Sequence, residues 1–258
     1  MDRQPARIIV VKGGWLTTVQ DLGRYGYQQY GVPVAGAMDR FSAIVANRLA
    51  GNSDHEAVLE LTMKGPELQF EQDAIIAITG ADLAPTINDR NAPMWECIAI
   101  PHGSRLSFGT RRAGSRAYLA VTGGIDVPPA LGSRSTNCAS NTGGFQGRPL
   151  KPEDILPIGP PNKSAPRLIG KRLPDRLLPR YERSVTLRII PGPQQDFFLK
   201  MSLATLMESA YTVSPQSDRM GYRLTGRKIV RKKSAQFISD GTVMGALQVP
   251  MDGQPILL

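Results

Sequence analysis

The sequence predicts a mainly β protein with a few short helices. Its 258 residues include 26 glycines and 21 prolines, more than a helical bundle tolerates, because both residue types destabilise helix interiors. Short apolar or β-branched runs stand between turn residues, and this pattern is typical of strands. The predicted strands are Ile8–Val11, Ala74–Ile78, Ala117–Val121 and Leu187–Ile190. Turns such as Pro191-Gly192-Pro193 separate them.

Two stretches have helical spacing instead. Asp39 is a suitable N-cap, the apolar residues Phe41, Ile44, Val45 and Leu49 follow it at helical intervals, and Gly51-Asn52 is a stop signal. A second helix is predicted to begin near Asp196 and to carry Phe198, Met201 and Leu206. We expect each helix to pack against a β-barrel.

The composition divides the chain into two domains. Residues 161–184 are rich in proline and basic residues, which is typical of a linker. We therefore predict a first β domain at 1–160, a linker at 161–184 and a second β domain at 185–258. A weak internal similarity between Leu61–Leu68 and Tyr222–Ile229 indicates a duplication.

Charge and cysteine content exclude several classes of protein. The net charge is +9, but the basic clusters at 163–183 and 227–233 contain almost no aromatic residues on which bases could stack, so nucleic-acid binding is not expected. No apolar run is long enough for a signal peptide or a membrane span. Two cysteines outside any CxxC pair indicate neither a disulfide scaffold nor a metal site. We expect a cytoplasmic protein without a bound metal.

The densest group of polar side chains is Ser217–Leu224, which contains Asp218, Arg219, Tyr222 and Arg223. Charged side chains are rarely buried unless they are paired, so the group forms either a structural ion pair at a turn or the wall of a polar pocket. The sequence leaves both interpretations open. Phosphate-binding G-x-x-x-x-G-K-[ST] and nucleophile-elbow G-x-S-x-G motifs are absent.

Several further segments occur in a recognisable order. They are Leu16–Arg24, Gly31–Asp39, Ile78–Asp82, Tyr118–Ile125, Leu131–Thr136, Pro191–Gln194, Ser217–Leu224, Ser239–Gly241 and Gly245–Pro250. Together they resemble the allophanate hydrolase subunit 2 family of biotin-dependent carboxyltransferase domains. This family includes the C subunit of prokaryotic 5-oxoprolinase, an antagonist of the Kip kinase inhibitor, and part of the carboxyltransferase region of urea carboxylase. The resemblance covers essentially the whole chain.

The resemblance implies tandem β-barrel domains of cyclophilin-like fold. Family members continue beyond Leu258 into an Asp-Arg-Gln-Thr-Thr-Gly-Gly-Tyr segment and further strands, so we expect a truncated, incomplete second domain. The resemblance also implies a partner, a B-type subunit similar to the Kip inhibitor, and in the oxoprolinase system an A-type subunit too.

The family resemblance and the residue types together predict a site for a small amide or lactam substrate with a carboxylate. Such a site needs cations for the carboxylate and donors for the carbonyl oxygen. Asp218, Arg219 and Tyr222 are the predicted catalytic residues. The predicted substrate-binding residues are Arg223, Gln248, Arg24, Asp39 and Arg134. Asp21 belongs to the same group of candidate polar residues as Arg24, Asp39 and Arg134. For each residue, a turn cap or an interface ion pair is the alternative.

Three functions follow from the resemblance. The leading one is the C subunit of a prokaryotic 5-oxoprolinase, whose complex opens 5-oxoproline to glutamate with ATP; the position of the ATP site is not predicted. The second is a carboxyltransferase component of the urea and allophanate pathway, which needs biotin on a separate carrier. The third is a regulatory protein that binds a Kip-type inhibitor without chemistry of its own.

Overall fold

A computed structural model describes residues 6–232 and 242–258. The chain divides into two compact units, Met1–Val185 and Thr186–Leu258. Lys233, at the end of the second basic cluster, and Ser239-Asp240-Gly241, one of the segments that carry the family resemblance, lie outside the described residues. The predicted domain boundaries at 160 and 184 stay a prediction.

The described residues form fifteen strands and two α-helices. The first unit contains β1 (Arg7–Lys12), β2 (Leu16–Gln20), α1 (Arg40–Leu49), β3 (Val58–Thr62), β4 (Glu67–Phe70), β5 (Ala74–Asp82), β6 (Pro85–Ile87), β7 (Arg90–Asn91), β8 (Cys97–Ile100), β9 (Arg105–Phe108), β10 (Ala113–Val121) and β11 (Ile155–Pro157). The second unit contains α2 (Lys200–Glu208), β12 (Tyr211–Val213), β13 (Tyr222–Gly226), β14 (Leu247–Gln248) and β15 (Ile256–Leu257). The prediction of a mainly β protein is confirmed.

Two antiparallel sheets build the first unit. One has the strand order β11-β1-β4-β9-β6-β7, and the other has the order β2-β3-β10-β5-β8. Alternate side chains of both sheets form one apolar cluster, which includes Ile8, Leu59, Phe70, Ile78 and Leu119, all fully buried. The predicted strands at Ile8–Val11, Ala74–Ile78 and Ala117–Val121 lie within β1, β5 and β10.

Helix α1 covers the second face of the five-stranded sheet. The Asp39 carboxylate accepts a hydrogen bond of 3.0 Å from the Ser42 amide, so the predicted N-cap is confirmed. The buried face of α1 includes Ala43, Val45 and Ala46, whereas Phe41 is 46% exposed. The start of the helix was therefore predicted correctly, but small residues rather than Phe41 make the contact with the sheet.

Part of the segment 161–184 lies alongside β8, which is an edge strand of the five-stranded sheet. The Gly170 amide donates to the Cys97 carbonyl, and the Cys97 amide donates to the Lys171 carbonyl, both at 2.9 Å. The Leu173 amide donates to the Trp95 carbonyl at 2.9 Å, and Ala165 is fully buried. These bonds satisfy backbone groups at the edge of the sheet.

The second unit contains one four-stranded antiparallel sheet with the order β12-β13-β15-β14. The predicted strand at Leu187–Ile190 was wrong: these residues form no strand, and Ile190 is 91% exposed. Strand propensity does not produce a strand unless a neighbouring strand accepts its hydrogen bonds. The predicted second helix begins at Lys200, after a 3₁₀ turn at Gln195–Phe197.

Candidate functional site

Of the predicted catalytic residues, Asp218 and Arg219 lie at a turn before β13, and Tyr222 is the first residue of that strand. Asp218 is exposed, and its carboxylate accepts a hydrogen bond of 2.8 Å from the Met220 amide. The Ser217 hydroxyl accepts from the Arg223 amide at 2.9 Å. Because these bonds close the turn, Asp218 has a structural role whether or not it also contacts a substrate.

Arg219 in this turn and Tyr222 at the start of β13 are less exposed than Asp218. Burial lowers the pKa of the Arg219 guanidinium to about 10, while its electrostatic interaction with Tyr222 acts in the opposite direction. The guanidinium nevertheless stays protonated at neutral pH. A cation that has lost much of its water interacts strongly with an anion that reaches it.

Arg223 and Gln248 lie on two strands that flank β15, on one face of the sheet. Arg223 on β13 and Gln248 on β14 both pair with Ile256 of β15, so their backbones are about 9–10 Å apart. The structure thus brings Arg223 and Gln248 to the same side of the sheet. A cleft of about 340 Å³ in this unit is lined by residues 228–232 and 251–253 rather than by the predicted catalytic residues.

The predicted residues of the first unit fall into separate environments. Asp21 is buried, and its carboxylate accepts four hydrogen bonds: from the Gly23 amide at 2.8 Å, the Ser133 hydroxyl at 2.7 Å, the Ser135 hydroxyl at 2.5 Å and the Arg134 amide at 2.6 Å. The Asp21 carboxylate therefore fixes residues 133–135 against the end of β2. It has no accessible lone pair to offer a substrate.

Arg24 is 1% exposed and lies beneath the same loop. Its Nη2 donates to the Ser135 carbonyl and its Nε to the Ala130 carbonyl. Burial lowers the pKa of Arg24, and the charge of Asp21 partly offsets that effect. The prediction that Arg24 binds substrate is untested, and in this structure its guanidinium holds the loop.

Asp39 belongs to a buried network that the sequence analysis missed. Its amide donates to the Tyr118 hydroxyl at 2.7 Å, and that hydroxyl donates to Glu60 at 2.9 Å. Glu60 also pairs with Arg116 at 3.2 Å and accepts from the Met38 amide at 2.9 Å. Glu60 in the apolar strand Val58–Thr62 was the available signal, because an unpaired carboxylate is not stable in a buried strand.

Arg134 has a different environment from Asp21 and Arg24. Its Nε donates to the Val127 carbonyl at 2.8 Å, and its Nη2 lies 3.4 Å from Asp126. The side chain borders a cleft of about 330 Å³ lined by Gly51, Asn52, Ser53, Glu56, Gly123, Ile125, Asp126, Arg134, Gly159, Pro160 and Asn162. Of the predicted site residues, Arg134 alone lines this cleft.

Residues 6–232 and 242–258 contain no group of three or more His, Cys, Asp or Glu side chains arranged to hold a metal ion. No helix within these ranges is long and apolar enough to cross a membrane. Burial raises the pKa of both cysteine thiols, Cys97 and Cys138, which makes each a poor nucleophile at neutral pH.

The described residues form two antiparallel β units with arginine-bearing polar clusters, and comparison with known proteins identifies the family. A family model described as carboxyltransferase domain, subdomain A and B, matches residues 30–258. The chain therefore belongs to this carboxyltransferase domain family, and the resemblance inferred from the sequence is confirmed.

Individual relatives fall into two groups. The chain is 39% identical over 251 residues to the C subunit of 5-oxoprolinase from Escherichia coli (strain K12), a match that covers 96% of this chain and 78% of the relative. It is 37% identical over 232 residues to urea amidolyase of Saccharomyces cerevisiae, covering 87% of this chain and 13% of that protein.

Solved structures agree with this assignment. The crystal structure of the K. lactis urea amidolyase matches with a TM-score of 0.84 and 32% identity, over 100% of this chain and 17% of that chain. The crystal structure of TTHA0988 matches with a TM-score of 0.81 and 32% identity, over 100% of this chain and 49% of that chain. The chain spans half or less of the length of these two solved proteins.

Proposed function

We propose that this chain acts as the C subunit of a 5-oxoprolinase complex, which opens the lactam of 5-oxoproline to glutamate with ATP hydrolysis. The observation that carries the proposal is coverage: the E. coli relative matches over 78% of its own length, whereas the yeast urea amidolyase matches over 13%. The chain thus corresponds to most of a separate subunit. A B-type subunit similar to the Kip inhibitor and an A-type subunit are its proposed partners.

In this proposal, the turn before β13 and the first residues of that strand supply the contacts to the substrate. Arg219 and Arg223 bind the carboxylate of 5-oxoproline, and Tyr222 donates to the lactam oxygen as negative charge develops there. Gln248, on the same sheet face as Arg223, can donate or accept at the ring amide. Asp218 positions the turn through its bond to the Met220 amide.

ATP is consumed by the complex, and no nucleotide site is assigned to this chain. Phosphates favour helix N-termini with free amides. The first turn of α1 is capped by the Asp39 carboxylate, which would repel a phosphate group.

The test is reconstitution of the complex from its purified components. We expect glutamate release only when this chain, the B-type subunit, the A-type subunit and ATP are all present. Glutamate release by the A-type and B-type subunits in the absence of this chain would contradict the proposal. Binding of this chain to the B-type subunit without turnover in any mixture would instead favour the regulatory, Kip-type function.

A carboxyltransferase component is the second candidate. It is favoured by the family match across residues 30–258 and by the TM-score of 0.84 with the K. lactis urea amidolyase. Biotin would then be supplied on a separate carrier domain. Carboxylation of urea or a similar nitrogen acceptor that requires both this chain and a biotinylated carrier would establish this function in place of the first.

Arg219 is the residue whose replacement tests the proposed site most directly. We expect Arg219→Ala to lower kcat/KM of the complex by about 100-fold or more, because a charge-assisted contact to the substrate is lost. Arg227→Ala removes an exposed arginine of the same unit and serves as the matched control. An unchanged rate for Arg219→Ala, with the control also unchanged, would remove Arg219 from the site.

A further inference from the structure

The cleft beside Arg134 has the properties of a small-ligand site. Three segments of the first unit form it: residues 51–56, residues 123–126 together with Arg134, and residues 159–162. Its volume of about 330 Å³ lies in the range typical of pockets for small molecules. Most of its lining residues are polar or glycine, so it suits a small polar ligand rather than an apolar one.

Two asparagines make the walls of the cleft rigid. Asn52 donates to the Val121 carbonyl at 2.8 Å and accepts from the Gly123 amide at 2.8 Å. Asn162 donates to the Gly51 carbonyl at 2.8 Å. These bonds join the three segments, so a ligand does not have to order them when it binds.

Glycine is required where residues 123–124 meet the other two segments. A Cβ at Gly123 would lie 2.1 Å from the Gly159 carbonyl oxygen, and a Cβ at Gly124 would lie 2.9 Å from the Glu56 carboxylate. Both glycines have positive φ angles, 91° and 72°, which other residues rarely adopt. The backbone is therefore built to bring Glu56 and the 159–160 segment close to residues 123–124.

One anion and one cation in the cleft retain binding capacity. Within the described part of the chain, the Glu56 carboxylate has no basic partner, and it accepts a single hydrogen bond of 3.3 Å from the Ser53 hydroxyl. Arg134 uses its Nε and Nη2, and within the same ranges its Nη1 has no hydrogen-bond acceptor. The Arg134 amide donates to the Asp21 carboxylate at 2.6 Å and its Nε donates to the Val127 carbonyl at 2.8 Å, so both the backbone and the side chain of this cation are held.

We propose that this cleft binds a small ligand that carries a carboxylate and a nearby N–H donor. The carboxylate binds the Arg134 guanidinium, and the N–H group donates to the Glu56 carboxylate. An amino acid, or a lactam that bears a carboxylate, has both groups. This ligand class follows from the two charges and does not require the proposed function, although 5-oxoproline and glutamate both belong to it.

The experiment is calorimetric titration of the full chain with four probes. Glutamate and 5-oxoproline carry both groups, acetate carries the carboxylate alone, and 2-pyrrolidinone carries the lactam alone. We expect saturable binding of at least one of the first two probes, and at least about tenfold weaker binding of acetate and 2-pyrrolidinone, because each of these loses one charge-assisted contact. Absence of saturable binding by both glutamate and 5-oxoproline overturns the proposal.

Variants assign that binding to the cleft. We expect Glu56→Gln and Arg134→Lys each to lower the affinity for the probe by about tenfold or more. The exposed residues Glu182 and Arg183 of the same unit provide controls of matched charge, Glu182→Gln and Arg183→Lys. Circular dichroism checks folding, and Glu56→Gln is the safer variant because its amide oxygen can still accept from Ser53. Unchanged affinity in Glu56→Gln overturns the proposal.

Failure of this proposal is distinguishable from failure of the proposed function. Loss of probe binding in Glu56→Gln together with normal turnover of the complex supports the cleft as a ligand site separate from the chemistry. Probe binding that the wild-type chain shows and Glu56→Gln loses, together with no turnover in the complete complex, contradicts the oxoprolinase proposal and leaves the cleft supported.

Discussion

Asp21 and Asp218 each lie within a few residues of an arginine, but the structure gives these carboxylates opposite environments. Asp21 is buried and accepts four hydrogen bonds. Asp218 is exposed and accepts one, from the Met220 amide. The difference shows that an Asp-Arg group in a sequence does not define a site: where the carboxylate is buried and saturated it is structural, and only the exposed one retains capacity for a ligand.

The units that contain the two carboxylates also differ in how much apolar side chain they bury. In the first unit, two sheets and α1 enclose two buried apolar clusters, and Val19, two residues before Asp21, belongs to the larger one. Among the described residues of the second unit, Ile229 and Pro255 are the buried apolar side chains, while Met201, Met207 and Met251 are exposed. Burial makes each unsatisfied polar group costly, so a substitution at Asp21 should have a larger effect than one at Asp218.

Asp21→Asn is expected to have the largest effect on stability. An asparagine cannot accept all four hydrogen bonds, so buried amides and hydroxyls lose their acceptor, and we expect the free energy of unfolding to fall by about 3–5 kcal/mol. Both tryptophans, Trp15 and Trp95, lie in the first unit, so tryptophan fluorescence during urea unfolding reports on this unit. A loss below about 1 kcal/mol would show that the Asp21 bonds are not the main restraint on the loop.

Tyr118→Phe is expected to have an intermediate effect that depends on pH. Burial raises the pKa of the Tyr118 hydroxyl well above its ordinary value of 10.0. The hydroxyl therefore stays neutral in the folded protein when the unfolded chain ionises, so its contribution to stability is complete below about pH 10 and is lost as the pH rises further. Loss of its bonds to Glu60 and the Asp39 amide should cost about 1–3 kcal/mol at neutral pH.

Urea unfolding between pH 7 and pH 11 tests this expectation. Above pH 10 the wild-type chain should lose up to about 1.4 kcal/mol per pH unit more than Tyr118→Phe, because the variant lacks the ionising group. Tyr30→Phe is the control, since Tyr30 is 73% exposed. Parallel pH profiles for the wild type and Tyr118→Phe would mean that Tyr118 does not keep its proton.

The sequence predicted features that depend on neighbouring residues better than features that depend on residues distant in the chain. Local signals were sufficient for β1, β5, β10 and the Asp39 N-cap, because a strand pattern or a capping residue acts within a few positions. They failed at Leu187–Ile190, where strand formation depends on a partner strand elsewhere in the chain. The family resemblance was available from ordered motifs that extend over most of the chain.

The candidate sites were harder to predict because their contacts are distant in sequence. Asp21 binds Ser133 and Ser135, 112 and 114 positions away, and Tyr118 binds Glu60 across 58 positions. Arg134 was identified from its residue type, but Glu56 was not, because an exposed-looking glutamate beside a serine carries no local signal. Its relevance follows from its place in the lining of the cleft and from the approach of Gly124 to its carboxylate.

Asp218→Asn is expected to have the smallest effect on stability, which makes it the most informative about chemistry. Its carboxylate accepts a single bond from the Met220 amide at an exposed turn, and asparagine makes the same turn contact. We therefore expect less than about 0.5 kcal/mol of destabilisation, measured as unchanged hydrogen exchange of the β12 and β13 amides. Because the fold is preserved, any fall in turnover of the reconstituted complex must come from the lost charge. If hydrogen exchange instead accelerates throughout β12 and β13, Asp218 is structural in the same sense as Asp21, and the contrast between the two carboxylates does not hold.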